Sequence, residues 1–234
     1  MTTTGNLAAL AECEPRQLIS DLFHQLSQPL TTLRCSLELA LLQTLTPEQY
    51  RETLGQALGQ AEKASWSATA IRELLDAGQV GPELEILELR KAVADAVSDL
   101  LPVAESAGVR IGYLPGSACP VWFDAQRLRQ GLFHLLGFVV SSVGPGAGVK
   151  IDLDERGKEA VLALTASGQR ACDEASADSD PELSRRLGLG IARTIFEVAG
   201  GSFSVERAGE SLSVEVRLPR NGGQRADVGG NRSG

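Results

Sequence analysis

The stretch that decides the fold is LISDLFHQLSQPLTTLRCSLELAL, residues 18–41. Large apolar residues repeat in it at alternating spacings of three and four, the heptad pattern of a helix with one packed face. They are Ile19, Phe23, Leu26, Leu30, Leu33 and Leu37. His24 follows directly after one of these positions. We therefore expect its ring at the edge of this seam, within reach of water.

The chemistry available on this helix centres on His24. A neutral imidazole is nucleophilic near physiological pH because its ordinary pKa is about 6.5. Ser27 and Gln28 follow three and four residues later, so they lie beside the ring on the helix surface. Pro29 lacks a backbone N–H and is expected to bend the helix just beyond this group. The alternative is a surface histidine on a core helix.

A second amphipathic helix follows the first after a short loop. Thr46 is placed to cap it, and Pro47 suits its first position. Its apolar residues again share one face, and they are Leu54, Leu58, Ala61, Ala68, Ile71 and Leu75. A hairpin of two such helices leaves an apolar stripe uncovered. Two hairpins would cover it by forming a four-helix bundle, so we expect a homodimer.

The pattern changes after a short linker at residues 79–83. Residues 84–220 alternate short strands with amphipathic helices, which predicts a mixed sheet with helices on one face, an α/β sandwich. The overall class is therefore α+β: a helical hairpin at residues 15–78, then the sandwich. We expect its helices at residues 90–107, 125–143 and 187–199, with Asp124 capping the second. Residues 1–14 and 221–234 are expected to be flexible.

Composition excludes several classes of partner. The net charge of −8 over 234 residues argues against nucleic acid or an anionic membrane as the main partner. No apolar run approaches the roughly 18 residues of a membrane span.

The four cysteines form no CxxC pair, so we expect reduced thiols and a cytoplasmic protein. Cys35 is expected to fill space in the packing. His134, in an apolar run, is expected to be packed and not to bind a metal.

Several motifs occur in one order along the chain. His24-Gln25-Leu26-Ser27-Gln28-Pro29-Leu30 is similar to the H-box of histidine kinases, and Gly188-Leu189-Gly190 to their last glycine box. Two further stretches that resemble motifs of this family lie between them in the sequence: Leu87-Glu88-Leu89-Arg90 and Phe123-Asp124-Ala125-Gln126-Arg127. In this order the motifs resemble the two-component histidine kinases over residues 15–220. The resemblance implies a dimerisation and phosphotransfer hairpin followed by a catalytic ATP-binding domain.

The departures from that family concern ATP. The alignment puts Phe138 where the family has an Asn that holds Mg²⁺, and a phenyl ring offers no oxygen ligand. Ala166 stands where an Asp binds adenine, and Gln25 where an acid follows the histidine. Gly168, Gly188 and Gly190 remain as a weak phosphate-binding set. The resemblance therefore implies a decayed ATP domain, with neither ATP nor Mg²⁺ expected as a cofactor and no metal site.

The leading hypothesis is histidine phosphotransfer between His24 and the aspartate of a response-regulator receiver domain. Gln25 would hold the ring by a hydrogen bond, and Ser27, Gln28, Thr31 and Thr32 would form the surface that contacts the receiver. The alternative is a divergent ATP-dependent sensor kinase. Two further readings are a receiver phosphatase, with Gln28 positioning water, and a dimeric adaptor that transfers nothing.

Overall fold

The computed structural model describes residues 15–42, 44, 46–79, 83–113, 118–168 and 180–220, without the side chains of 15–17 and 180–183. The flexibility predicted for residues 1–14 and 221–234 lies outside this range. The polar, acidic stretch at residues 170–179 lies outside it as well. The chain divides into two compact units, with the boundary after Asp76. Each unit is described by itself.

The helical unit consists of α1 (Pro15–Leu42) and α2 (Pro47–Ala77). The start of α2 is a capping box. The N–H of Gln49 donates to Thr46 Oγ1 at 3.3 Å, and the N–H of Thr46 donates to Gln49 Oε1 at 2.9 Å. The predicted cap is therefore confirmed. Helix α1 continues through Pro29 as one element, and the proline ring is buried.

Burial in the helical unit follows a face that differs from the predicted seam, although Ile71 belongs to both. Its buried side chains are mostly small on α2, and they are Leu18, Leu22, Pro29 and Ala40 on α1 with Ala57, Ala64, Ser67, Ala70, Ile71 and Leu74 on α2. Large residues of the predicted seam are instead exposed, Phe23 by 52% and Leu58 by 62%. Hydrophobic periodicity weights large side chains, so it does not reveal that the small residues Ala57, Ala64 and Ala70 are buried. The hairpin thus has an inner face and a separate apolar stripe, defined by Phe23, Leu30, Leu37, Leu54, Leu58 and Leu75.

The second unit contains three helices and seven strands among the described residues. The helices are α3 (Leu89–Ser106), α4 (Ala125–Ser141) and α5 (Asp180–Val198). The strands are β1 (Leu84–Glu88), β2 (Arg110–Tyr113), β3 (Pro120–Asp124), β4 (Gly148–Arg156), β5 (Glu159–Ser167), β6 (Ser202–Ala208) and β7 (Ser211–Pro219). Five of them form a sheet in the order β2-β4-β5-β7-β6, in which only β2 and β4 are parallel. Strands β1 and β3 form a separate antiparallel pair.

The alternation of side chains along the central strands separates a core face from a solvent face. On β7, Leu212, Val214 and Val216 are fully buried, while Glu215 and Arg217 form ion pairs on the other side. The rings of Phe123 and Phe196 meet edge to face at 6.2 Å in the core. These features match the predicted α/β sandwich, and the α+β class is confirmed.

Cap geometry is present at the start of α4 and at the end of α5. Asp124 caps α4, as predicted, because its Oδ1 accepts from the N–H of Arg127 at 2.9 Å. At the end of α5, Gly200 has φ +84°, and the N–H of Gly201 donates to the carbonyl of Phe196 at 2.9 Å. This 6→1 bond is a Schellman motif, which explains why glycine follows the helix.

Two predictions about individual segments were wrong. Helix α5 begins at Asp180, not at residue 187. Asp-Pro-Glu at 180–182 is a typical helix start, but these residues belong to a polar, acidic stretch without apolar periodicity, so the periodicity did not predict a helix there. Cys35 is exposed and does not fill space in a core. It lies eleven residues after His24, three helical turns on, and therefore on the same outward side of α1.

Candidate functional site

His24 lies near the middle of α1 with its ring exposed. Its Nε2 atom is 3.3 Å from Nε2 of Gln28, one turn later. A primary amide nitrogen only donates, so in this contact the imidazole Nε2 accepts. A neutral imidazole carries a single N–H, which this arrangement places on Nδ1. The ring is thus held by a neutral donor on its own helix.

Gln25 does not hold the ring. Its side chain is half-buried, and within the described part of the chain Gln28 is the hydrogen-bond partner of His24. Adjacent residues on a helix point about 100° apart, whereas residues four apart are neighbours on its surface. The support that the sequence analysis allowed to Gln25 is therefore given by Gln28.

Three polar residues form the surface next to His24, and all of them are exposed: Ser27, Thr31 and Thr32. The Ser27 hydroxyl donates to the Phe23 carbonyl at 2.8 Å, and the Thr31 hydroxyl donates to the Ser27 carbonyl at 2.8 Å. Because both protons are used within the helix, these two oxygens face the surroundings mainly as acceptors. The structure thus places the predicted contact residues on one outward side.

The positions aligned with the ATP site are apolar. Phe138 is 3% exposed and Ala166 is fully buried, both as part of the sandwich core. Neither side chain can supply an oxygen ligand or a hydrogen-bond acceptor for a nucleotide. His134, one turn before Phe138, is half-buried, as predicted, with its ring 6.0 Å from that of Phe133.

The structure gives a reason for glycine at one of the three candidate phosphate-binding positions and places the other two inside a helix. Gly168 has φ +152°, and a Cβ added there would stand 2.6 Å from the Cβ of Ala147. Gly188 and Gly190 lie in the interior of α5, since that helix begins at Asp180. The anion site expected from a helix N-terminus does not coincide with this pair, because interior N–H groups bond to helical carbonyls.

The described residues contain neither a cluster of metal ligands nor a membrane-spanning helix. No group of three or more His, Cys, Asp or Glu side chains in that part of the chain is arranged to hold a metal ion. No described helix is both long enough and apolar enough to cross a bilayer.

Comparison with known proteins gives a consistent set of relatives. The C4-dicarboxylate transport sensor protein DctS of Rhodobacter capsulatus is 30% identical over 235 aligned positions, which cover 94% of this chain and 35% of that protein. The sensor histidine kinase CusS of Escherichia coli O157:H7 is 26% identical over 137 positions, 56% of this chain and 28% of CusS. No family model matches the sequence. The chain is a relative of the sensor histidine kinases.

Solved structures agree on the fold of this histidine kinase relative. The Acinetobacter baumannii histidine kinase AdeS matches with a TM-score of 0.60 at 19% identity, covering 85% of this chain and 98% of that chain. The histidine kinase ThkA, solved in complex with the response regulator protein TrrA, matches with a TM-score of 0.62 at 16% identity, covering 94% and 64%. This chain spans 35% and 28% of the lengths of DctS and CusS.

Proposed function

We propose that this chain is a phosphorelay protein in which His24 exchanges a phosphoryl group with the aspartate of a receiver domain. The observation that carries the proposal is the exposed His24 ring on α1, next to the exposed side chains of Ser27, Thr31 and Thr32. A nucleophile so placed can reach a phosphorylated group on another protein. The relationship to sensor histidine kinases supports the same chemistry.

The transfer step needs little from this chain beyond the imidazole. The Nε2 lone pair of His24 attacks the phosphorus of a phosphoaspartate, and the bond from phosphorus to the aspartate oxygen breaks. The aspartate leaves as a carboxylate, and the Nδ1 proton passes to water. The reverse sequence returns the phosphoryl group to a second receiver. The receiver contributes its own acidic residues and metal ion.

The proposed partner is a receiver domain that docks over the outward side of α1. Ser27, Thr31 and Thr32 are exposed next to His24, and their oxygens suit donors on a partner. Support comes from ThkA, whose structure was solved in complex with a response regulator protein. Loss of ATP binding is part of the same proposal. The positions aligned with the family's Mg²⁺-binding Asn and adenine-binding Asp hold Phe138 and Ala166, whose buried apolar side chains cannot replace those groups.

The proposal includes a homodimer. The apolar stripe of the hairpin leaves Leu54 61% and Leu58 62% exposed. Leaving apolar side chains in water is unfavourable by about 25 cal/mol for each Å² of exposed apolar surface. A second copy presents the same stripe, so a two-fold axis along it would bury both and produce a four-helix bundle.

The experiment that tests this function has two stages. First, Mg-ATP binding is measured by calorimetry, and the protein is incubated with γ-labelled ATP. The proposal expects neither saturable binding nor label. Second, a phosphorylated receiver is added, and acid-labile label is expected on the wild-type chain but not on His24→Ala. Labelling from ATP that depends on His24 would instead identify a divergent sensor kinase.

A second candidate function follows from the contact between Gln28 and His24. A side-chain amide next to the docked phosphoaspartate can orient water, which would make the chain a receiver phosphatase. Release of free phosphate that depends on Gln28, with no label on His24, would support it. If the receiver keeps its phosphoryl group, the remaining hypothesis is a dimeric adaptor that transfers nothing. In that case His24→Ala should leave partner binding and biological output unchanged.

A further inference from the structure

The amide of Gln28 covers the nitrogen of His24 that phosphotransfer requires. The two Nε2 atoms are 3.3 Å apart, and both side chains are exposed on the same side of α1. Their spacing of four residues makes them neighbours for as long as the helix is formed. Within the described residues, His24 has no second hydrogen-bond partner that competes for this nitrogen.

The chemistry of the two groups decides what the contact does. An amide –NH₂ has protons but no available lone pair, so it can bond only to an imidazole nitrogen that accepts. Nε2 therefore accepts and Nδ1 carries the proton. The same hydrogen bond occupies the lone pair that must attack phosphorus. The Gln28 side chain therefore both orients the His24 ring and covers the Nε2 lone pair.

We propose that Gln28 is a positioning residue that selects the Nδ1–H tautomer of His24 and screens its Nε2 lone pair until a partner displaces the amide. The inference rests on the proposed function for its biological meaning. Gln28 takes over the role that the resemblance gives to residue 25, because the half-buried Gln25 forms no hydrogen bond with the ring. The consequence is a histidine that reacts slowly with small phosphodonors and faster once Gln28 is moved.

The test uses phosphoramidate, a small donor that needs no receiver and no nucleotide. Nε2 of His24 attacks its phosphorus, the P–N bond of the donor breaks, ammonia leaves, and the Nδ1 proton passes to water. The rate is followed by ³¹P NMR, which also distinguishes phosphorylation at Nε2 from phosphorylation at Nδ1. The tautomer of the unphosphorylated ring is read independently from ¹⁵N chemical shifts of labelled histidine.

Two substitutions at the same position should act in opposite directions. Gln28→Ala frees the lone pair, so labelling at Nε2 should accelerate about threefold to tenfold, the range expected for losing one exposed hydrogen bond. The ¹⁵N shifts should then report a mixture of tautomers. Gln28→Glu places an acceptor at the ring, favours a proton on Nε2, and should slow labelling below the wild-type rate. Gln56→Ala, at an exposed glutamine on α2, is the matched control and should change neither readout.

The outcomes separate this inference from the proposed function. Equal labelling rates and equal ¹⁵N shifts in wild type and Gln28→Ala would overturn the positioning role, whatever the receiver assay shows. A dominant Nε2–H tautomer in the wild type would overturn it as well, because the amide oxygen would then face the ring. Accelerated labelling of Gln28→Ala together with no exchange with any receiver would support the positioning role and contradict phosphorelay.

Discussion

The Glu88 carboxylate accepts a hydrogen bond from the backbone N–H of Cys119 at 2.7 Å, across 31 positions of sequence. The same Oε1 accepts from the N–H of Arg90 at 3.4 Å and so caps helix α3. The N–H of Leu89 donates to the Cys119 carbonyl at 3.0 Å. One acidic side chain therefore joins the β1–β3 pair to the start of the first sandwich helix.

The first prediction concerns this junction. Glu88→Ala removes a helix cap and leaves the N–H of Cys119 without its acceptor. We expect the free energy of unfolding to fall by about 1–3 kcal/mol, measured by urea denaturation. Glu88→Gln keeps an oxygen acceptor and should lose less than half as much. Equal losses in the two variants would show that the charge, and not the acceptor, carries the stabilisation.

The second prediction concerns Cys119. Burial, and then the nearby charge of Glu155, raise the pKa of this thiol above its ordinary value. A raised folded-state pKa means that the folded chain holds the proton more tightly than the unfolded chain. The resulting stability is complete below about pH 8.5 and is lost as pH rises through the folded pKa. Cys119→Ala should therefore lose less stability between pH 7 and pH 10 than the wild type.

The control for that titration is Cys35→Ala. Cys35 is exposed, whereas Cys119 is 1% exposed, so Cys35→Ala removes a thiol without changing the packing of the core. A thiol reagent at neutral pH should label Cys35 rapidly and Cys119 only on unfolding. An unchanged alkaline slope in Cys119→Ala would contradict the predicted linkage.

The third prediction distinguishes structural from ligand-binding glycines. A Cβ at Gly188 would lie 3.5 Å from the His134 carbonyl oxygen, an ordinary contact. Because Gly188 is inside α5, Gly188→Ala should raise the free energy of unfolding by about 0.5–1 kcal/mol. Gly168→Ala should lower it, since that Cβ would stand 2.6 Å from Ala147. Destabilisation by Gly188→Ala in thermal melts would mean that α5 does not continue through this glycine.

The fourth prediction concerns the apolar stripe on the hairpin. Leu58→Glu puts a charge in the centre of the proposed dimer interface, and the mass from light scattering should fall to that of one chain at micromolar concentration. Ile86→Glu is the matched control, because Ile86 is 69% exposed on β1 in the other unit. Its mass should remain that of a dimer. A wild-type chain that is already monomeric would contradict the homodimer.

Much of the secondary structure could be read locally. The capping box at Thr46, the cap at Asp124 and the turn at Gly157, with φ +66° between β4 and β5, each depend on a few consecutive residues. Such signals survive in any tertiary context because they satisfy backbone groups within one turn. The start of α5 was missed although Pro181 marks it, since the acidic residues before it suggested a loop.

The sequence by itself determined the heptad helices, the histidine on the first of them and the sandwich that follows, because periodicity and caps act over short distances. Only the tertiary structure decided which face of the hairpin is buried, since small residues such as Ala57 and Ala64 pack inward while larger leucines stay out. It also decided that Gln28, not Gln25, holds His24. Contacts between side chains depend on helical rotation and on distance, and a list of residue types contains neither.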